Sequence, residues 1–136
     1  DTMETAMDWS KVPQAVDKIE AAIRTGLADE GEQVHVYTHL SHVYGQGSSI
    51  YTTYLYRFGD SYQTAMQRWE KLKAAGASEI VACGGTISHQ HGVGKDHRNY
   101  LAAEKGSLGI AAINSLCELF DPSGQMNPGK LLPDNQ

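Results

Sequence analysis

The chain has 136 residues, a length that fits one domain with enough chain to bury a real core. Hydrophobic residues make up 40% and charged residues 20%, the balance of an ordinary soluble globular protein. A formal charge of −5 with no basic run argues against a nucleic-acid surface, and no apolar stretch approaches a membrane span. Cys83 and Cys117 are lone cysteines in apolar surroundings, outside any CxxC pair. They read as thiols of a reduced compartment, so a cytoplasmic protein is expected. No signal-peptide pattern opens the chain. It starts at Asp1 without a methionine, which fits a piece of something longer.

In chain order, Thr2 to Trp9 is short and mixed and fits a strand. Ser10 is placed as an N-cap, and Pro13 is tolerated in a first helical turn. Val12, Val16, Ile19, Ile23 and Leu27 recur at helical steps, which predicts an amphipathic helix from 11 to about 29, ended by Gly31. Gln33 to Leu40 alternates, with Val34, Val36 and Thr38 on one face and His35, Tyr37 and His39 on the other, as a strand does. Ser41 to Ser49 reads as the loop of a long hairpin and Ile50 to Phe58 as its second strand. Asp60 and Gln63 form a capping box before a helix whose buried face is Tyr62, Met66, Trp69 and Leu72, with Gly76 as its stop. Glu79 to Cys83 is then expected as a final strand. This order predicts an α+β fold, a ferredoxin-like βαββαβ sandwich. Two further helical stretches, near Arg98–Glu104 and Leu108–Phe120, and an irregular tail from Asp121 complete the chain.

The stretch with the most chemistry is Gly84-Gly85-Thr86-Ile87-Ser88-His89-Gln90-His91-Gly92-Val93-Gly94-Lys95. It is not a P-loop, since His89 stands where the first glycine belongs and Asp96 follows Lys95 where serine or threonine belongs. It also lacks the third glycine of a dinucleotide fingerprint. The histidines fall into two groups, His35, His39 and His42 after one strand, and His89, His91 and His97 after another. Their strand ends could meet, so two readings stand open: a metal site, since imidazole suits zinc or iron, and catalytic or ligand-orienting histidines. The second is favoured, because no carboxylate or thiolate lies within the clusters at ligand spacing apart from Asp96. Tyr54 and Tyr56 read as packing residues. Tyr51 points the other way at a loop–strand junction, where a structural hydroxyl and an acid/base group are both possible.

Three stretches resemble the C-terminal part of the FAD-linked oxidases of the vanillyl-alcohol oxidase superfamily, and within it the alkyldihydroxyacetonephosphate synthases. They are Ser41-His42-Val43-Tyr44 with Ile50-Tyr51, Ser88-His89-Gln90-His91-Gly92-Val93-Gly94-Lys95, and Phe120-Asp121-Pro122 to Asn127-Pro128-Gly129-Lys130-Leu131. Glu4-Thr5-Ala6 and Trp9 also fit. The resemblance implies that residues 1–136 are the substrate, or cap, domain of a longer flavoenzyme whose FAD-binding domain lies N-terminal. It implies Tyr51, His89 and His91 as catalytic residues, and His91, Gly92 and Asn127 against the cofactor. His42, Lys95 and Arg98 would meet the substrate. Gln90 stands at the middle position of the synthases' Ser-His-His-His-Gly run. Metal-holding 2-hydroxyacid dehydrogenases carry a carboxylate and a second upstream histidine where this chain has Gln90 and Tyr51, so no metal is expected. The implied substrate is an alcohol or hydroxyacid or, synthase-like, an acylated dihydroxyacetone phosphate. The implied partners are that small molecule, the enzyme's own FAD-binding domain and, as an option, a second copy in a homodimer. A rival from another class is a stand-alone ferredoxin-like module that binds a small ligand or metal through its histidine loops.

Overall fold

The computed structural model describes residues 1–133. Its elements are β1 (Thr2–Asp8), α1 (Val12–Thr25), β2 (His35–His39), β3 (Gly47–Leu55), α2 (Tyr62–Cys83) and α3 (Leu101–Phe120). Single 3₁₀ turns lie at Ala28–Glu30 and Arg98–Tyr100. The strands form one antiparallel sheet in the order β1-β3-β2. Alternation sorts the two faces. Met3, Ile50, Tyr54 and Val36 point into the core against Ile19 and Ile23 of α1 and Leu72 and Ile80 of α2. Their neighbours Glu4, Tyr51 and His39 stand in register on the opposite face.

The α+β class is as expected, and so is the order of the elements from β1 through α2. The end of the expected sandwich is different. Glu79–Cys83 is not a strand but the last turn of α2, with Ile80 buried against the core. A fourth strand would occupy the free edge of β1. The chain does return there, but among the described residues its backbone bonds to β1 are two, Thr86 N–H to the Ala6 carbonyl at 3.3 Å and His89 N–H to the Glu4 carbonyl at 3.0 Å. Gly76 does not stop the helix; it lies inside it, where a side chain would strike Met3 and Ile23. The stop is Gly84, in the left-handed conformation with φ 70°. The start also shifts by one residue: Ser61 is the N-cap and accepts from the Thr64 N–H at 3.1 Å.

The buried stripe of α2 is Ala65, Arg68, Leu72, Gly76 and Ile80, whereas Tyr62 is exposed and Met66 and Trp69 are half-buried. Small residues let α2 approach α1 closely, and Arg68 is tolerated in the stripe because Glu30 accepts from it at 2.8 Å. The pair of helices expected after the glycine loop is present as α3, broken at Gly106 with φ 67° and ψ 172°. Ile110 and Ile113 pack on the core, but Leu108, Leu116, Leu119 and Phe120, which recur at helical steps as an apolar stripe, face outward. Among the described residues no helix is long and apolar enough to cross a membrane.

β3 begins at Gly47, earlier than expected, because Gly47 pairs with Asp8 across the strands. A Cβ on Gly47 would overlap the Met7 carbonyl oxygen and meet its carbonyl carbon at 2.8 Å, whereas one on Gly45 would meet nothing within 4 Å. Gly47→Ala should therefore destabilise the domain by about 1–3 kcal/mol in urea titration, since backbone cannot yield as a side chain does. Gly45→Ala should change little, and equal losses in both would contradict this packing.

Candidate active site

The sheet's open face carries the site. Register places Glu4 of β1 opposite Tyr51 of β3, and Tyr51 opposite His39 of β2. Two loops close over Glu4, residues 41–44 before β3 and 88–91 after α2. They leave its residue 3% exposed. Ser41 Oγ donates to Glu4 Oε1 and lies 2.6 Å from Ser49 Oγ, which also accepts from the His42 N–H at 2.8 Å. Three rings converge on the same carboxylate. His42 Nδ1 is 3.5 Å and His89 Nδ1 3.4 Å from Oε1, and His91 Nε2 is 3.4 Å from Oε2. His89 Nδ1 is buried without a hydrogen bond of good geometry, while its Nε2 lies 3.0 Å from the Tyr44 hydroxyl.

The second loop can do this because of its backbone. Gln90 has φ 61°, and the His91 N–H reaches back to the His89 carbonyl at 2.8 Å. That is a γ-turn of the rare positive-φ kind, and it brings both histidines to one point. Thr5 Oγ1 donates to the Thr86 carbonyl at 2.7 Å, and Gly85 lies so close to Thr5 and Met7 that a side chain there would clash. On the far side Glu104 of α3 accepts from the Ile87 N–H at 3.0 Å and the Thr86 hydroxyl at 3.1 Å. The histidine loop is thus held from two sides.

Tyr51 stacks on His39 with ring centres 5.0 Å apart and meets His91 edge-on at 5.3 Å. Tyr51, His42, His89 and His91 are therefore brought together, with His39 beside them. His35 lies against Tyr37 instead, and His97 is buried beneath Gly92. Lys95 lines a separate cleft with Trp69, Lys73, Asp96, Asn99 and Tyr100. Arg98 is buried and donates to the Gly129 carbonyl at 2.9 Å, and Leu131 N–H reaches the Gly94 carbonyl at 2.9 Å. These bonds return the tail that bears Asn127 to the glycine loop. Gly92, with φ 78° and nothing within 4 Å of a would-be Cβ, leaves open space beside His91.

A family model for the C-terminal domain of FAD linked oxidases matches residues 1–131. The chain belongs to that family. It is 26% identical over 125 residues to alkyldihydroxyacetonephosphate synthase of Caenorhabditis elegans, covering 90% of this chain and 21% of that protein. It is 28% identical over 134 residues to the FAD-linked oxidoreductase YgcU of Escherichia coli (strain K12), covering 97% and 28%. A solved structure of alkyldihydroxyacetonephosphate synthase shares the fold with a TM-score of 0.61 at 20% identity, over 94% of this chain and 20% of that one. The chain thus spans 21% and 28% of the length of these curated relatives.

Within this FAD-linked oxidase domain, the residue that the sequence reading missed is Glu4. Its carboxylate supplies the anion that the histidine clusters lacked on spacing alone. Among the described residues, Glu4, His42 and His89 have ligand atoms within 4.8 Å of one another, close enough to hold a metal ion. The available signal was the alternation of Thr2, Glu4 and Ala6 against Met3, Thr5 and Met7, which puts the charged Glu4 on the open face between Thr2 and Ala6. Burial by itself pushes the Glu4 carboxyl up, but the Ser41 hydrogen bond, with the Ser49 hydroxyl and the His89 ring close by, outweighs it and holds the group below its ordinary value of 4.5. A carboxyl lowered by folding adds stability that is full above the unfolded value and drains away as the pH falls through the folded one. As the pH falls through 4.5 and below, the wild type should lose stability that Glu4→Gln does not lose. Parallel stability curves for the two proteins in urea would refute this.

Proposed function

We propose that this domain forms the substrate side of the active site of an FAD-dependent oxidoreductase. The observation that carries the reading is the meeting of Tyr51 and His91 on the open sheet face, in a chain of the FAD-linked oxidase family. The exposed apolar stripe of α3, with Leu108 83% and Phe120 77% exposed, supports a further covering domain. The enzyme's own FAD-binding domain is the occupant that this family membership favours. Ligand sites commonly lie between such domains.

The residues present fit a flavin as a wall, not as a cradle. Open backbone at Gly92, the His91 ring beside it and the tail bearing Asn127 can flank a flat ring system, but no pyrophosphate loop accompanies them. When bound, FAD supplies the acceptor for the electron pair that leaves the substrate. This chain's part is protons and position. Oxidation of an alcohol to a carbonyl releases the hydroxyl proton, and a His91 ring nitrogen takes it up, directly or through the Tyr51 hydroxyl, which accepts the proton at the substrate oxygen as it passes its own to His91. His42 lies at the same face and orients the substrate. Oxidation of an alcohol or hydroxyacid is the broad activity. The finer one, supported by the likeness to the synthases, is exchange at an acylated dihydroxyacetone phosphate.

In the full-length enzyme, Tyr51→Phe and His91→Ala should each lower turnover by about 10²-fold or more, the size of one acid/base contribution. Full turnover in both variants would overturn the reading. Residues 1–136 alone should give no saturable quenching when FAD is titrated in. Tight stoichiometric binding would mean that the cofactor site lies within this domain.

A further inference from the structure

We infer that Glu4 is the positioning residue of this site: its carboxylate fixes which nitrogen of His42 and of His91 carries the proton, leaving the other nitrogen of each for the substrate. The inference rests on the proposed function only for what those free nitrogens do. A neutral imidazole has one N–H and one lone pair, and the partner of one nitrogen decides the state of the other. In a buried setting a lone pair aimed at a carboxylate is repelled, while an N–H is attracted. His42 turns Nδ1 toward Glu4 Oε1 at 3.5 Å and toward the Ser41 hydroxyl at 3.3 Å, whose own proton goes to Glu4 so that its lone pair also favours Nδ1–H. His91 turns Nε2 toward Oε2 at 3.4 Å. The two rings are thus held in opposite tautomers, Nδ1–H on His42 and Nε2–H on His91. Their remaining nitrogens, Nε2 of His42 and Nδ1 of His91, diverge from Glu4 as bare lone pairs. Both side chains keep exposed surface, 43% and 29%.

His89 differs. Its Nδ1 faces Glu4 at 3.4 Å and its Nε2 is engaged by the Tyr44 hydroxyl at 3.0 Å, so neither nitrogen is left for a substrate. His89 therefore supports the cluster, and His42 and His91 are the rings that can accept a substrate proton. A divalent cation seated among Glu4 Oε1 and the Nδ1 atoms of His42 and His89 would demand the reverse. Those nitrogens would then hold lone pairs, and His42 would be protonated on Nε2.

The test is the ring-nitrogen spectrum of the full-length protein labelled with ¹⁵N-histidine, at about pH 8, above the ordinary histidine range. Peaks are assigned by their loss in His42→Gln and His91→Gln. The expected wild-type result is Nδ1–H on His42 and Nε2–H on His91. Glu4→Gln should blur both into tautomer mixtures and lower kcat by about 10–100-fold with a smaller change in KM, while Glu4→Asp should restore much of each. His42 protonated on Nε2 in the wild type, or zinc near one per chain, overturns the inference without recourse to any variant. So does a Glu4→Gln spectrum with the wild-type tautomers. If Tyr51→Phe and His91→Ala are fully active while the tautomers follow Glu4, the positioning stands and the proposed chemistry falls.

Discussion

A carboxylate placed in the interior without partners costs several kcal/mol, and the site of this domain is arranged around avoiding that cost at Glu4. The strand puts Glu4 on the sheet face that the helices leave open, where water would otherwise solvate it. Two loops distant in sequence take water's place. Ser41 donates directly, Ser49 holds Ser41, and the three rings bring their polar edges to the two oxygens. Removing the charge would strip those loops of their common target. The carboxylate is therefore a structural centre and an electrostatic one at the same time.

The fold was legible where local pattern decides it. The alternation at Val34 to His39 gave both faces of β2, and the spacing of Val12, Ile19 and Ile23 gave α1 and its buried side, although the helix starts after Lys11 with no cap from Ser10 and ends at Thr25, short of Leu27 and Gly31. It was misread where packing decides. Ile80-Val81-Ala82-Cys83 is a short apolar run, and such runs are ambiguous between strand and buried helix. Gly76 was ambiguous in the same way: a glycine can end a helix or permit a close crossing, and here Met3 and Ile23 use the space. Of the site, Tyr51, His42, His89 and His91 were legible through resemblance and loop chemistry. Glu4 was not, because nothing local links position 4 to positions 42, 89 and 91. That link exists only through strand register and the return of the chain past β1.

Lys95 and Arg98, which the resemblance sets against the substrate, lie apart from the histidine cluster in this domain. The chain turns at Gly94, with φ 54°, and carries them off the open sheet face. Arg98 tethers the tail through Gly129, and Lys95 borders the cleft at Trp69 and Lys73. The tethered tail, α3 and the glycine loop consequently lie on one side of the domain. The outward stripe of α3 belongs to the same region, so the apolar surface and the polar site can be covered together.

The incomplete fourth strand is what makes the site possible. A ladder along the edge of β1 would fix residues 86–91 as extended chain, at about 3.3 Å per residue. His89 and His91 would then share a face but stand about 6.6 Å apart along the strand, too far to address the two oxygens of a single carboxylate. The chain makes two backbone bonds to β1 and then leaves the ladder. The positive φ of Gln90 folds His91 back onto His89, at the expense of about 1–3 kcal/mol of backbone strain. Glutamine has none of glycine's freedom in that region, so the strain must be held by surrounding contacts. Glu104 and Thr5 grip the loop before the turn, and the Ser88 hydroxyl bonds the Gly92 carbonyl across it at 2.8 Å. Strained backbone and a forfeited strand thus meet a buried carboxylate distant in sequence, and each supports the same pair of rings.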